Sequence, residues 1–321
     1  MREKFHVVSG TLLCAVLLMG SIPVSASGRP DYLPPWNPPP QNGKHFTIPE
    51  IDTVADLHGD VVNPQLTVFF AGNQFMVVHD LVQAFQKQHP QYQRVFVETL
   101  PPGILADQIR QGALIMGNLR IALKPDIYTA GHKHILELQQ NEHWFATTED
   151  YARNRLALMV YRGNPKHITG WKDLGRTGVR VSMPNSKWEG IAGAIEALYR
   201  KAGGEALVRE IMEVKVKNGS TYLTQIHHRQ TPLRILRGES DVGPVWYTEA
   251  YFQEHTLHNP ISTVNLPAQD NMQVTYTAGL MKDAPHPQAA REFLQFLTSP
   301  AAQAIYSHYG FLPPDSQLLA H

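Results

Sequence analysis

From Leu66 onward the chain alternates short apolar runs with amphipathic stretches, and this alternation restricts it to an α/β architecture. Leu66-Thr67-Val68-Phe69-Phe70-Ala71 is short, apolar and β-branched or aromatic, the pattern of a buried strand. Gly72-Asn73-Gln74 follows, and Phe75 to His89 then places Val78, Leu81, Val82 and Phe85 on one face of a predicted helix. Arg94 to Thr99 predicts a second strand, which leads through Leu100-Pro101-Pro102-Gly103 to a helix over Ile104 to Gln111. Ile127 to Ala130 predicts a third strand. Strands alternating with helices predict a parallel sheet, whose ligands bind beyond the strands' carboxyl ends. A strand, a glycine-containing polar loop and a helix start can also aim free backbone N–H groups at an anion. The alternative for each junction taken alone is a plain turn.

The carboxyl-terminal segment is equally patterned. Ala290, Phe293, Leu294 and Leu297 form a helical stripe, Ser299-Pro300 restarts the helix, and Ala301 to Tyr309 continues it to Gly310. At the other end Arg2 and Lys4, the apolar run Val7 to Met19, and Val24-Ser25-Ala26 form the pattern of a cleavable export signal, residues 1–26. The apolar run is too short for a membrane span. Cys14, the only cysteine, lies inside that run, so a chain cut after Ala26 has no thiol, disulfide or cysteine-based metal site. Residues 27–65 carry Pro30, Pro34, Pro35, Pro38, Pro39 and Pro40 and predict extended backbone, a tether or strap; Asp56 to Gly59 predicts a turn. About 295 remaining residues suffice for two lobes of ~100–150 each.

Charge points to no polymeric partner. Lys and Arg number 28 and Asp and Glu 28, with no basic stripe of the kind nucleic acid requires. The 16 histidines are mostly scattered. The chain has no Gly-x-Ser-x-Gly elbow, no phosphate-binding Gly-x-x-x-x-Gly-Lys loop and no His-Glu-x-x-His helix, so the sequence offers no catalytic motif.

Several segments in order resemble the type II periplasmic solute-binding proteins of ABC importers, in particular the molybdate-binding group. They are Ile109-Arg110-Gln111-Gly112, Asp126-Ile127-Tyr128-Thr129-Ala130, Asn154-Arg155-Leu156-Ala157-Leu158 with Gly163-Asn164-Pro165, Trp171-Lys172-Asp173-Leu174, Gly238-Glu239-Ser240-Asp241-Val242-Gly243, and Tyr309-Gly310-Phe311. The similarity runs from about Leu66 to Pro314. It implies two Rossmann-like α/β lobes, residues 66–151 with 278–321 and residues 152–277. Two crossing segments near Ala152 to Leu158 and Val274 to Ala278 would form the hinge. It also implies a role as the periplasmic, monomeric binding component that captures a small anionic solute between the lobes for a membrane permease. A sensor or metal-delivery protein of the same fold is the alternative, and a hydrolase a more distant one.

The resemblance also points to the site. The molybdate binders hold the oxyanion with serine hydroxyls and amides of the first two loops, whereas this chain has Gly72, Asn73 and Gln74 in one and Gly103 and Ile104 in the other. Trp246 replaces the tyrosine of the group's late Val-Tyr pair and is followed by Tyr247. This departure leaves a small organic acid beside a molybdate-like oxyanion as the solute. Thr129, Glu189, Gly190, His227, Arg229, Trp246 and Tyr247 complete the expected ligand set. Glu189 either pairs with a cation such as Arg229 or caps its own helix. His227-His228 are metal ligands, anion partners or structural, but no metal or cofactor is assigned. His132-Lys133-His134 reads as surface at a helix start, and Arg120 as a further candidate anion contact.

Overall fold

The computed structural model describes residues 56–116, 119–187, 189–225 and 230–314. The export signal, most of the proline-rich segment, and His227, His228 and Arg229 lie outside them. The elements run β1 (Leu57–Gly59), β2 (Leu66–Ala71), α1 (Val78–Gln88), β3 (Val95–Leu100), α2 (Pro102–Gln111), β4 (Ala113–Met116) and β5 (Leu119–Ala122). Next come β6 (Ile127–Gly131), α3 (His132–Glu142), β7 (Phe145–Tyr161), β8 (Val181–Met183), α4 (Ile191–Arg209), α5 (Lys215–Lys217), β9 (Thr221–Leu223) and α6 (Gln230–Leu236). The chain closes with β10 (Val242–Trp246), α7 (Tyr247–Tyr251), β11 (Ile261–Asn265), β12 (Gln273–Met281), α8 (Pro287–Leu297) and α9 (Pro300–His308).

The main sheet has the order β1-β3-β2-β6-β12-β7-β10-β8-β9, with β11 also paired to β7. Its two flanks are largely parallel, β3-β2-β6 on one side and β10-β8-β9 on the other. The middle is antiparallel: β12 runs against both β6 and β7, and β7 against β10. A purely parallel sheet is therefore corrected to a mixed one, because the chain must cross from one flank to the other and return. β7 makes the outward crossing. Its residues 145–155 pair with β12, and Leu156 to Val160 pair with β10. β12 makes the return.

Alternation along the strands builds a core on each sheet face. In β2, Leu66, Val68 and Phe70 pack with Val78, Leu81 and Phe85 of α1 and Phe293 and Leu297 of α8. Phe69 points the other way, into a cluster with Leu105 of α2, Ile135 of α3 and Phe145. In β7, Leu156, Leu158 and Val160 join Val181, Ile195 and Tyr199, whereas Met159 joins Val245 and Ile261. The stripe expected in the carboxyl-terminal helix is buried, with Phe293 and Leu297 fully so. Ser299 caps α9, its Oγ accepting from Ala302 N at 3.3 Å.

Three local expectations change. Asp56 to Gly59 is not simply a turn, because Leu57–Gly59 forms β1 and covers the edge of β3 in antiparallel register. The helix expected from Phe75 begins at Val78, because Gly72–Gln74 first makes a 3-10 turn. Arg120 lies on the β4-β5 hairpin, its Nη2 donating to Gln111 O at 2.8 Å.

Candidate functional site

A cleft of about 1170 Å3 opens where the carboxyl ends of the parallel strands meet the crossing strands. One wall is the Gly72-Asn73 turn after β2 with the starts of α2 (Pro102, Gly103, Ile104) and α3 (His132, Lys133). The opposing wall is the segment before α4, with Ser186, Lys187, Glu189 and Gly190, and then Ile191 in its first turn. Trp246, Met272, Val274 and Tyr276 close the side formed by the crossing strands and their neighbours.

Backbone chemistry follows from these starts. The first N–H groups of a helix have no carbonyl partner within it, and the helix dipole makes that end positive. No side chain caps α2, α3 or α4. In α2 Pro102 has no N–H and Ile104 N donates to Pro101 O at 2.9 Å, and in α4 Ala192 N donates to Glu189 O at 3.1 Å. The three starts therefore offer the cleft chiefly the positive end of the helix dipole, where a negative group would be favoured. Pro102 suits a first helical turn because its missing N–H is not needed there. Space favours Gly72, since a Cβ there would crowd the Leu100 backbone, 3.0 Å from its carbonyl carbon.

Seven of the expected residues line the cleft: Gly72, Asn73, Gly103, Ile104, Glu189, Gly190 and Trp246. Asn73 is 4% exposed, and its Nδ2 donates to the hydroxyl of Tyr276. Burial pushes the Tyr276 pKa up, so its hydroxyl stays protonated at neutral pH. Glu189 is also buried; its Oε1 accepts from Thr224 Oγ1 and from Asn185 N, the latter at 3.4 Å. It precedes Gly190, which holds the N-cap position of α4. Trp246 ends β10 on the face shared with Val242, edge-on to the Tyr276 ring at 6.2 Å.

Three expected residues face elsewhere. Gln74 is fully buried behind the cleft, where its Nε2 donates to Tyr151 and its Oε1 accepts from Tyr306 at 3.1 Å. The 3-10 turn rotates it away from its neighbour Asn73. Thr129 Oγ1 accepts from Ala71 N at 3.0 Å and so ties β6 to the end of β2. Tyr247 begins α7 and stacks under the Arg155 guanidinium at 3.7 Å.

The cleft also contains residues that the sequence reading left out. His132, read as surface, lines it, with Nδ1 3.0 Å from both Asp150 Oδ1 and Thr277 Oγ1. Lys133 and His134 line it too, and burial pushes the His134 pKa down, favouring the neutral ring. Arg110 bonds Glu142 at 2.6 Å and Asp107 at 3.1 Å, so its charge is already matched. The signal for His132 was present, since it follows a strand's carboxyl end at a helix start. Among the described residues no group of three His, Cys, Asp or Glu side chains is placed to hold a metal.

Comparison with known proteins agrees with this geometry. The family model for bacterial extracellular solute-binding proteins matches residues 66–312. The sulfate-binding protein of Escherichia coli K12 is 25% identical over 172 residues, 51% of this chain and 52% of that protein. The chain thus spans about half the length of that curated relative. The periplasmic molybdate-binding protein of Azotobacter vinelandii superposes with a TM-score of 0.62 at 18% identity, over 78% of this chain and 100% of that one. The sulfate-binding protein SubI of Mycobacterium tuberculosis superposes with a TM-score of 0.62 at 22% identity, over 79% and 88% respectively. The fold is thus the type II periplasmic binding-protein fold, and the chain belongs to the bacterial extracellular solute-binding proteins.

Proposed function

We propose that the protein captures a small anionic solute in this cleft, outside the cytoplasm, and presents it to the membrane permease of an ABC importer. It acts as a monomer and performs no chemistry on the solute. The observation that carries the reading is the convergence of the uncapped starts of α2, α3 and α4 on one cleft. Relatives that bind sulfate and structural neighbours that bind molybdate or sulfate support an anion as cargo. We place the lobes at residues 66–151 with 278–321 and residues 152–277, with β7 and β12 as the hinge. Closure follows because a solute touching both walls stabilises only the closed form.

The test is calorimetry and thermal unfolding with sulfate, molybdate, inorganic phosphate and small carboxylates. A bound anion at ~100 times its dissociation constant should add ~2.7 kcal/mol of stability. Gly103→Asp supplies the control. A Cβ at Gly103 meets nothing within 4 Å, so the fold should persist. The new carboxylate at the start of α2 should weaken anion binding at least tenfold. Absence of binding by every anion would remove this function.

A further inference from the structure

Resting on the reading that the cleft takes an anion, we propose that its solute is an organic anion. A single charged head lies at the helix starts, and an apolar body packs against Trp246, Ile104, Met272 and Val274. Size is the first argument. The cleft measures about 1170 Å3 with its walls apart, an upper bound on the space a solute can fill. A five-atom tetrahedral oxyanion fills roughly the space of two or three waters, each ~30 Å3. Pockets of several hundred Å3 and more are those that enclose larger organic ligands.

The chemistry of the lining is the second argument. A bare dianion stripped of water needs donors around its whole surface, since each unmatched charged face is costly. Here the backbone donors come from the helix starts, while Ile104, Met272 and Val274 contribute only apolar side-chain surface. Asn73, the first-loop amide that lines the cleft, already directs its Nδ2 to Tyr276. The lining also carries Asp107, Glu137, Asp150 and Glu189 beside Arg110, Lys133 and Lys187, with Asp107 paired to Arg110 at 3.1 Å and Glu137 to Lys133 at 3.8 Å. A ligand with a head and a body holds its charge at the helix starts and offers the hinge side an apolar surface. The ring of Trp246 suits that surface, being flat and large.

Matched probes test the assignment by keeping the head constant. Calorimetry on the purified exported protein would compare inorganic phosphate with phenyl phosphate and sulfate with phenyl sulfate, with molybdate alongside. The organic member of at least one pair should bind ten times more tightly or better. In Trp246→Ala that organic-to-inorganic ratio should fall toward one, and Trp246→Phe should restore most of it. Should Trp246→Ala fail to fold by circular dichroism, Met272→Gln at the same wall should lower the ratio in the same direction. Bare oxyanions binding as tightly as their organic partners, or molybdate binding tightest of all, would overturn this inference and leave the anion-binding function standing. Failure of all five probes and of the small carboxylates would overturn both.

Discussion

Glu98 sits at the residue scale as a carboxyl group whose environment contradicts its usual charge. It is fully buried in β3, and burial pushes its pKa up from 4.5 to about 8, although Gln108 Nε2 donates to its Oε1 at 3.1 Å. The folded protein therefore holds a proton that the unfolded chain releases near the ordinary value. Below pH 4.5 both states are protonated and Glu98 imposes no penalty. As pH rises toward about 8 the folded state binds more protons than the unfolded one, so this group's contribution to stability is lost across that window. Glu98→Gln keeps a similar shape and has no proton to lose. Urea unfolding at a series of pH values should show the variant gaining on the parent between pH 5 and 8, with the difference constant at higher pH. A difference independent of pH would mean that Glu98 is charged in the fold. Single residues also mark where sequence reading stopped. Asn73 and Gln74 are adjacent polar residues, yet one meets the cleft and the other the Tyr151-Tyr306 core. The sense of a 3-10 turn decides which, and composition does not encode it. Thr129 was placed in the site by its motif, but the main-chain N–H of Ala71 uses its hydroxyl.

Elements were more legible than residues, because periodicity reports burial directly. The strand at Leu66–Ala71 and the stripe of α8 are present as read. Phe293 illustrates why. It is fully buried and touches rings from three elements, with centroids 6.2 Å from Phe70, 4.9 Å from Phe85 and 5.9 Å from Phe296. Phe293→Ala should cost ~3–5 kcal/mol by denaturant unfolding, since the surrounding sheet and helix close such a cavity poorly. Ser299→Ala, which removes only the α9 cap, should cost ~1 kcal/mol in the same experiment. Equal losses would mean that α8 is not held by this aromatic packing. The crossing strand β7 was read only from its second half. Its first half, Ala146-Thr147-Thr148-Glu149-Asp150, is polar and exposed, and it is a strand because β12 pairs with it. That partner is more than a hundred residues away, so no local window contains the reason. The same distance explains why local strand-helix alternation implied a parallel sheet and missed the antiparallel centre.

On the scale of the whole molecule, β7 and β12 carry every main-sheet connection between the two flanks. Their pairing shifts register between Tyr276 and Thr277, beside the residue that receives the Asn73 amide. Tyr276 also hydrogen-bonds Asn154 of β7, whose Nδ2 donates to Thr248 Oγ1 of α7 at 2.9 Å. A side-chain path thus runs from a cleft loop, across both crossing strands, to a helix of the other flank. If the proposed hinge is right, bending at these strands would change the distance between the flanks. The chain has one cysteine, Cys14, so a Cys14→Ser background accepts two labels without interference. Arg291→Cys on α8 and Glu213→Cys beyond α4 are exposed positions on opposite flanks. Single-molecule energy transfer between dyes there should shift to higher efficiency when the anion that binds best in calorimetry saturates the cleft. Tyr276→Phe breaks the path at its centre and keeps the ring. The variant should still close, with a several-fold weaker affinity, because Asn73 loses its hydroxyl partner and the closed wall is less well held. An efficiency that does not change on saturation would show that the solute binds without closure, and would remove β7 and β12 from the role of hinge.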